Sequence, residues 1–244
     1  MGGGISLFYG SANIVNSTIS NNSAAKNGGG IHVGGVSDQT VSVELSNTSI
    51  VENSAITGGG IYASRALIVD NGNSQTIFYS TGAEITAHNS LIAINAASDS
   101  PDCYDELEDE PRYLIISNGF NLIGKDTGCN LQRDPTDLIG TDAEPIDPMI
   151  SSLRNNGGPT YTHELLAGSP AAENGPATCT TPDQRGYERP IGRNCDIGSV
   201  ENENPPPASV DFIADKLEVT QVVQDLNNSV RLVAGKHESS RIFG

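Results

Sequence analysis

The chain has no tryptophan, and its 5% aromatic and 36% apolar content is thin for the core of a compact globule. Nowhere does an apolar 3.6-residue period persist for three turns, which argues against a helical fold. No apolar run is long enough to cross a membrane as a helix. Positive charge is scarce: 13 Lys and Arg stand against 30 Asp and Glu, for a formal charge of −17. Nucleic acids and anionic lipids both need neutralisation by basic side chains, so this balance argues against them and leaves cations and neutral or cationic surfaces as partners.

What the chain does have is repetition. Glycine triplets at Gly2 to Gly4, Gly28 to Gly30 and Gly58 to Gly60 each run into an isoleucine, and their starts lie 26 and 30 residues apart. A second signature reads Asn, small, any, Ile, two variable, Asn, small, Ala; it occupies residues 16–24, 47–55 and 89–97. Repeats of this length mean stacked supersecondary units. Met1 abuts the first triplet, so the chain is expected to begin inside its own repeat array, and the lack of a leader then says little about compartment.

Each repeat reads as short strands. Val41, Val43 and Leu45 alternate with Ser42, Glu44 and Ser46, and Ala12 with Ile14 and Ala83, Ile85 and Ala87 repeat the period. Period two places one face in a core and the other in water. It recurs after the triplets as Ile5 and Leu7, Ile31 and Val33, Ile61 and Ala63. Strands that stack on their equivalents in the next repeat make a parallel β-helix, whose narrow aliphatic column tolerates this composition. In that register Ile19, Ile50 and Ile92 form an internal ladder, Asn22, Asn53 and Asn95 form an amide ladder, and the glycines supply corners with positive φ.

The regular rungs are assigned to residues 1–133, with an insertion at 70–82 whose Asp70-Asn71-Gly72-Asn73 reads as a tight turn. The 99–110 stretch gathers Asp99, Asp102, Asp105, Glu106, Glu108, Asp109 and Glu110. It reads as a solvated excursion or as a hard-cation site, with Asp99, Asp102, Asp105, Glu106 and Asp109 as the candidate Ca²⁺ ligands. The cysteines fall into local pairs, Cys103 with Cys129 and Cys179 with Cys195, without zinc-type spacing; two disulfides in an exported protein are expected. Residues 134–201 turn irregular and rich in Pro and Gly, as a cap closing the C-terminal end of the solenoid. Asp183, Arg185, Arg189 and Asp196 are expected to pair as ions within that cap. Residues 202–209 read as a Pro-rich linker and 210–244 as the start of a further β-domain or a disordered tail.

Ser117-Asn118-Gly119-Phe120-Asn121-Leu122-Ile123-Gly124 with Thr127-Gly128-Cys129 resembles part of the bacterial choice-of-anchor Q domain. The blocks Asp147-Pro148-Met149, residues 156–171, Asp183-Gln184-Arg185-Gly186, Arg189-Pro190 and Cys195-Asp196-Ile197-Gly198 continue that resemblance in the family's order. The glycine and asparagine rungs are similar to repeats of polymorphic outer-membrane proteins. The resemblance implies an all-β, right-handed parallel β-helix on exported bacterial surface proteins, and it brings no catalytic residues. Ala172-Glu173-Asn174 departs from the family's Ile-Asp-Ala-like run, and no sorting signal follows.

The leading functional expectation is therefore a cell-surface module for adhesion or glycan binding, with Ca²⁺ on the acidic loop. A rival is a Ca²⁺-assisted lyase or hydrolase acting on an acidic polysaccharide or a small ester or lactone. Its wall candidates are Asp38, Glu44, Glu52, Arg65, Asp70 and Glu84. A passive spacer is the third reading. His163 sits in a helix-like Thr-His-Glu-Leu-Leu stretch and as a base needs a nucleophile that no Gly-x-Ser-x-Gly elbow provides; Ser169 reads as a turn, and His32 and His88 as rung surface.

Overall fold

The computed structural model describes residues 3–34, 41–64, 66–70, 75–79, 83–106, 114–179 and 182–202, with 66–70 and 75–79 described through their backbone. These residues belong to the unit Met1–Pro205. Among them every regular element is a strand. The linker beyond Asn202 and the 210–244 segment lie outside the described residues.

Alternating residues build three ladders of parallel strands in curled sheets. The first stacks β1 (Ile5–Leu7), β3 (Ile31–Gly34), β5 (Ile61–Ser64) and β10 (Cys103–Asp105). The other two share the long strands β2 (Ser11–Ser20) and β4 (Val41–Val51). The early half of β4 pairs with β8 (Ala83–His88), which continues to β11 (Ile115–Ser117) and β13 (Leu131–Gln132). Its late half pairs with β9 (Leu91–Ala93), then β12 (Leu122–Ile123) and β14 (Leu138–Ile139). The insertion is an antiparallel hairpin of β6 (Ala66–Asp70) and β7 (Gln75–Tyr79), starting four residues before the expected boundary.

Register puts like on like. Ile19, Ile50, Ile92, Ile123 and Ile139 align in one row, as do Val43, Ile85, Ile115 and Leu131 in another. Side chains from all three ladders join one core, in which Ile31, Leu45, Ile50, Ile61, Ile85 and Ile92 are fully buried. Each such burial contributes about 1.5–3 kcal/mol.

The corners explain the two sequence signatures. Asn16, Asn47 and Asn89 hold φ of 46°, 49° and 47°, a left-handed conformation that asparagine tolerates better than most residues. The second asparagine of each signature builds the amide ladder: Asn22 Nδ2 donates to Asn53 Oδ1 at 3.0 Å, and Asn53 Nδ2 to Asn95 Oδ1 at 3.0 Å. Within the triplets only the first glycine follows the corner argument, with φ of 66° at Gly28 and 59° at Gly58. The next two are required by close stacking: a Cβ on Gly29 would lie 2.4 Å from Gly59 O, and one on Gly30 2.7 Å from Gly60 O.

The closing segment departs from expectation. Outward residues of the third ladder, Val51, Leu91, Ala93 and Leu122, form a second apolar cluster with Leu165, Ala171 and Ile197. Hydrogen bonds tie the segment to the first three turns in succession: Gln184 to Thr18, Ser199 to Ser49, and Gly198 to Asn89. Its later part, around Leu165, Ala171 and Ile197, lies along the outer side of the third ladder, where apolar residues need a cover, while Leu138 and Ile139 stack on Leu122 and Ile123, past the expected boundary at 133. The helix-like stretch around His163 is extended, pairing Thr162 with Arg154 and Leu165 with Ile150 as antiparallel bridges. Both disulfides form as paired in the sequence, with Cα separations of 5.0 Å for Cys103–Cys129 and 6.4 Å for Cys179–Cys195.

Candidate functional site

The second ladder keeps a polar outer face. Register places Ser11 beside Ser42 and Glu84, and Asn13 beside Glu44 and Thr86. These six side chains line a shallow groove of about 200 Å³. The fold thus brings together Glu44 and Glu84, two of the wall candidates, on neighbouring strands. Glu52 lies at a corner of the third ladder, and Asp38, Arg65 and the Asp70 side chain lie outside the described residues.

The acidic loop does not gather its described carboxylates. Asp99 and Glu106 are exposed, whereas Asp102 and Asp105 are buried, and Asp109 lies outside the described residues. Asp102 occupies the next place in the amide ladder: its Oδ1 accepts from Asn95 N and Nδ2 at 3.1 and 3.0 Å, and its Oδ2 from Lys125 N at 2.8 Å. Burial pushes its carboxyl up to about 6, against the opposing pull of those N–H donors. Asp105 accepts from Asn130 Nδ2 at 3.2 Å. Among the described residues no three His, Cys, Asp or Glu side chains are set to hold a metal ion. Asp102 also borders a cavity of about 440 Å³ with Lys125, Ile146 and Asp147.

In the closing segment one expected ion pair forms and one does not. Arg185 Nε donates to Asp183 Oδ2 at 2.9 Å, and Asp183 also accepts the backbone N–H groups of Arg185, Tyr187 and Glu201. Asp196 is not paired with an arginine; it accepts from the Glu173 and Asn202 backbones, and burial raises its carboxyl to about 6. Arg189 instead faces Glu201, with Nε 3.7 Å from Oε2, and donates to Gly198 O at 2.8 Å. Burial pulls the Arg189 pKa down while Glu201, Asp183 and Asp196 pull it up. Sequence reasoning missed Glu201, which follows the Ile197-Gly198 block with no motif of its own.

The three described histidines separate into two structural cases and one chemical one. His32 is buried in a stripe with Phe8, Tyr62 and Tyr104, and desolvation lowers its imidazole to about 4. His88 Nδ1 lies 3.0 Å from Asn118 O, across the wall. His163, with its side chain almost wholly buried, reaches from the closing segment to the first turn. Its Nδ1 lies 2.7 Å from Ser151 O and its Nε2 2.7 Å from Ser20 Oγ. A carbonyl only accepts, so Nδ1 carries a proton, and in the neutral ring Nε2 presents a lone pair to the Ser20 hydroxyl. Asn21 Nδ2 donates to the same Oγ at 2.8 Å, and Glu52 Oε2 stands 3.9 Å from Nε2. Ser20 was not legible as a partner, because 143 residues separate it from His163. Ser169 is structural, its Oγ donating to Pro148 O at 2.6 Å.

Compared with family models, with curated proteins and with solved structures, the chain finds no match.

Proposed function

We propose that this chain is a right-handed parallel β-helix module on the outside of a bacterial cell, and that the wall formed by its second ladder binds a glycan. The three in-register ladders around one core support the coil, and parallel strands joined by crossovers are overwhelmingly right-handed. Two disulfides support an oxidising compartment. The choice-of-anchor Q resemblance supports a surface-protein setting.

The observation that carries the binding reading is the groove of Ser11, Asn13, Ser42, Glu44, Glu84 and Thr86. Strands stack about 4.8 Å apart, so the groove presents a row of hydroxyl, amide and carboxylate groups able to hydrogen-bond sugar hydroxyls. A negative wall favours neutral or amino sugars over acidic ones. A glycan array run with and without Ca²⁺ tests this. Binding is expected to weaken about tenfold in Glu44→Gln and in Thr86→Ala, roughly one hydrogen bond to a charged or polar group each. An empty array together with no binding to cells would overturn the reading.

A further inference from the structure

We propose that Ser20 and His163 form a nucleophile and base pair that hydrolyses short-chain carboxylic esters through an acyl intermediate on Ser20. This site lies on the third ladder and does not depend on the glycan groove. Nucleophile, base and the group that orients the base meet the first geometric demand of acyl transfer. The Ser20 Oγ lies 2.7 Å from a ring nitrogen whose lone pair is fixed by the bond from Nδ1 to Ser151 O, also 2.7 Å. The Ser151 carbonyl is a positioning group, holding the tautomer that a base requires.

Two further groups complete the arrangement. Glu52 Oε2, 3.9 Å from Nε2, lies where it stabilises the imidazolium formed when the ring takes the proton. Asn21, exposed and next in sequence, donates from Nδ2 to Ser20 Oγ at 2.8 Å and to Glu52 Oε2 at 3.2 Å. As Oγ becomes the acyl oxygen, that N–H must shift from Oγ to the oxyanion on the adjacent carbon to act as its donor. Ser20 is half-buried, at the seam where the closing segment meets the first turn, so a small acyl group suits it best. A hydroxyl on a regular strand is thus paired with a buried base from a distant segment.

The chemistry balances with water alone. Ser20 Oγ attacks the ester carbonyl as its proton passes to His163 Nε2. The tetrahedral adduct collapses, the C–O bond to the alcohol breaks, and the leaving oxygen takes that proton. Water then attacks the acyl-Ser20 carbonyl while giving a proton to Nε2. Collapse releases the carboxylic acid and returns the proton to Ser20 Oγ.

The experiment uses the disulfide-intact chain with 4-nitrophenyl acetate, read by nitrophenolate release and by peptide mass mapping. The expected result is an acetyl adduct on Ser20, with turnover falling about 100-fold or more in both Ser20→Ala and His163→Gln. Ser20→Cys supplies a second readout independent of the chosen ester: the introduced thiol should react with iodoacetamide about tenfold faster when His163 is present than in the double variant with His163→Gln. The proposal is overturned by equal turnover in wild type and Ser20→Ala, by an adduct confined to other residues, or by equal thiol rates in the two backgrounds.

Discussion

Replacing Asn53 by alanine tests the architecture at its centre. Asn53 is fully buried, and its Nδ2 reaches Ile19 O, Val51 O and Asn95 Oδ1 at 2.9, 3.0 and 3.0 Å. Its Oδ1 accepts from Asn22 N and Nδ2 at 3.1 and 3.0 Å. Alanine removes all of these and leaves the Asn22 N–H facing an apolar methyl. Two or three net hydrogen bonds at about 1 kcal/mol each, plus a stranded donor at about 1–2 kcal/mol, give a loss of about 4 kcal/mol. Asn22 is the terminal rung of the same ladder and only half-buried, with its Nδ2 donating to Ser20 O and Asn53 Oδ1; Asn22→Ala should cost about 1 kcal/mol. Asn53→Asp should cost more than alanine, because its second oxygen would face three acceptors where the amide donated. Guanidinium unfolding at constant m, with disulfides intact, reads the series. A loss at Asn53 no larger than that at Asn22 would refute the ladder as a stabilising element.

Asp102→Asn should change how stability depends on pH. The folded carboxyl is raised to about 6 from 3.8, so its contribution is fully present below the unfolded value and lost as pH rises through about 6. The variant should therefore gain on wild type by about 2 kcal/mol between roughly pH 4.5 and 7.5, at 1.36 kcal/mol per unit. Asp196 titrates in the same range and cancels in the difference; a difference that is flat with pH would refute the assignment. Gly29→Ala should cost about 3 kcal/mol or more, since its Cβ would meet Gly59 O at 2.4 Å and Ser54 O at 2.5 Å. Gly10→Ala, at φ 75° but with nothing within 4 Å, should cost only about 1–2 kcal/mol. Calorimetric midpoints that rank them the other way would show that backbone angle, and not stacking distance, selects the triplets.

Much of the array was legible because its signals are local and periodic. Val41, Val43 and Leu45 announce their face by alternation, and Asn22, Asn53 and Asn95 announce their ladder by equal offsets from the preceding isoleucine. The cysteine pairs followed from proximity. Where a residue's role depends on what a distant segment brings, the signal vanished. Asp102 looks like its acidic neighbours in sequence, and only the fold shows that it meets N–H donors from Asn95 and Lys125. The same applies to Glu201, to the Arg189 contact, and to the meeting of Ser20 with His163. The glycine triplets were readable as corners, but two of every three answer to the backbone of the next turn, which no single repeat contains.

The outer faces of the second and third ladders divide the work by composition. On the second ladder the outward residues are Ser11, Asn13, Ser42, Glu44, Glu84 and Thr86, which water solvates without help. On the third they are Val51, Leu91, Ala93 and Leu122, an apolar strip that would be a liability if left bare. An irregular segment can cover that strip because it needs no register, only Leu165, Ala171 and Ile197 at the right places and hydrogen bonds to the corners beneath. Covering the third ladder leaves the second as a polar wall open to solvent, which is why the glycan reading belongs there. The cover also creates a seam, and buried polar groups at a seam must find partners across it. His163 finds Ser20, so the feature that secures the cover is also the one that sets a base against a hydroxyl.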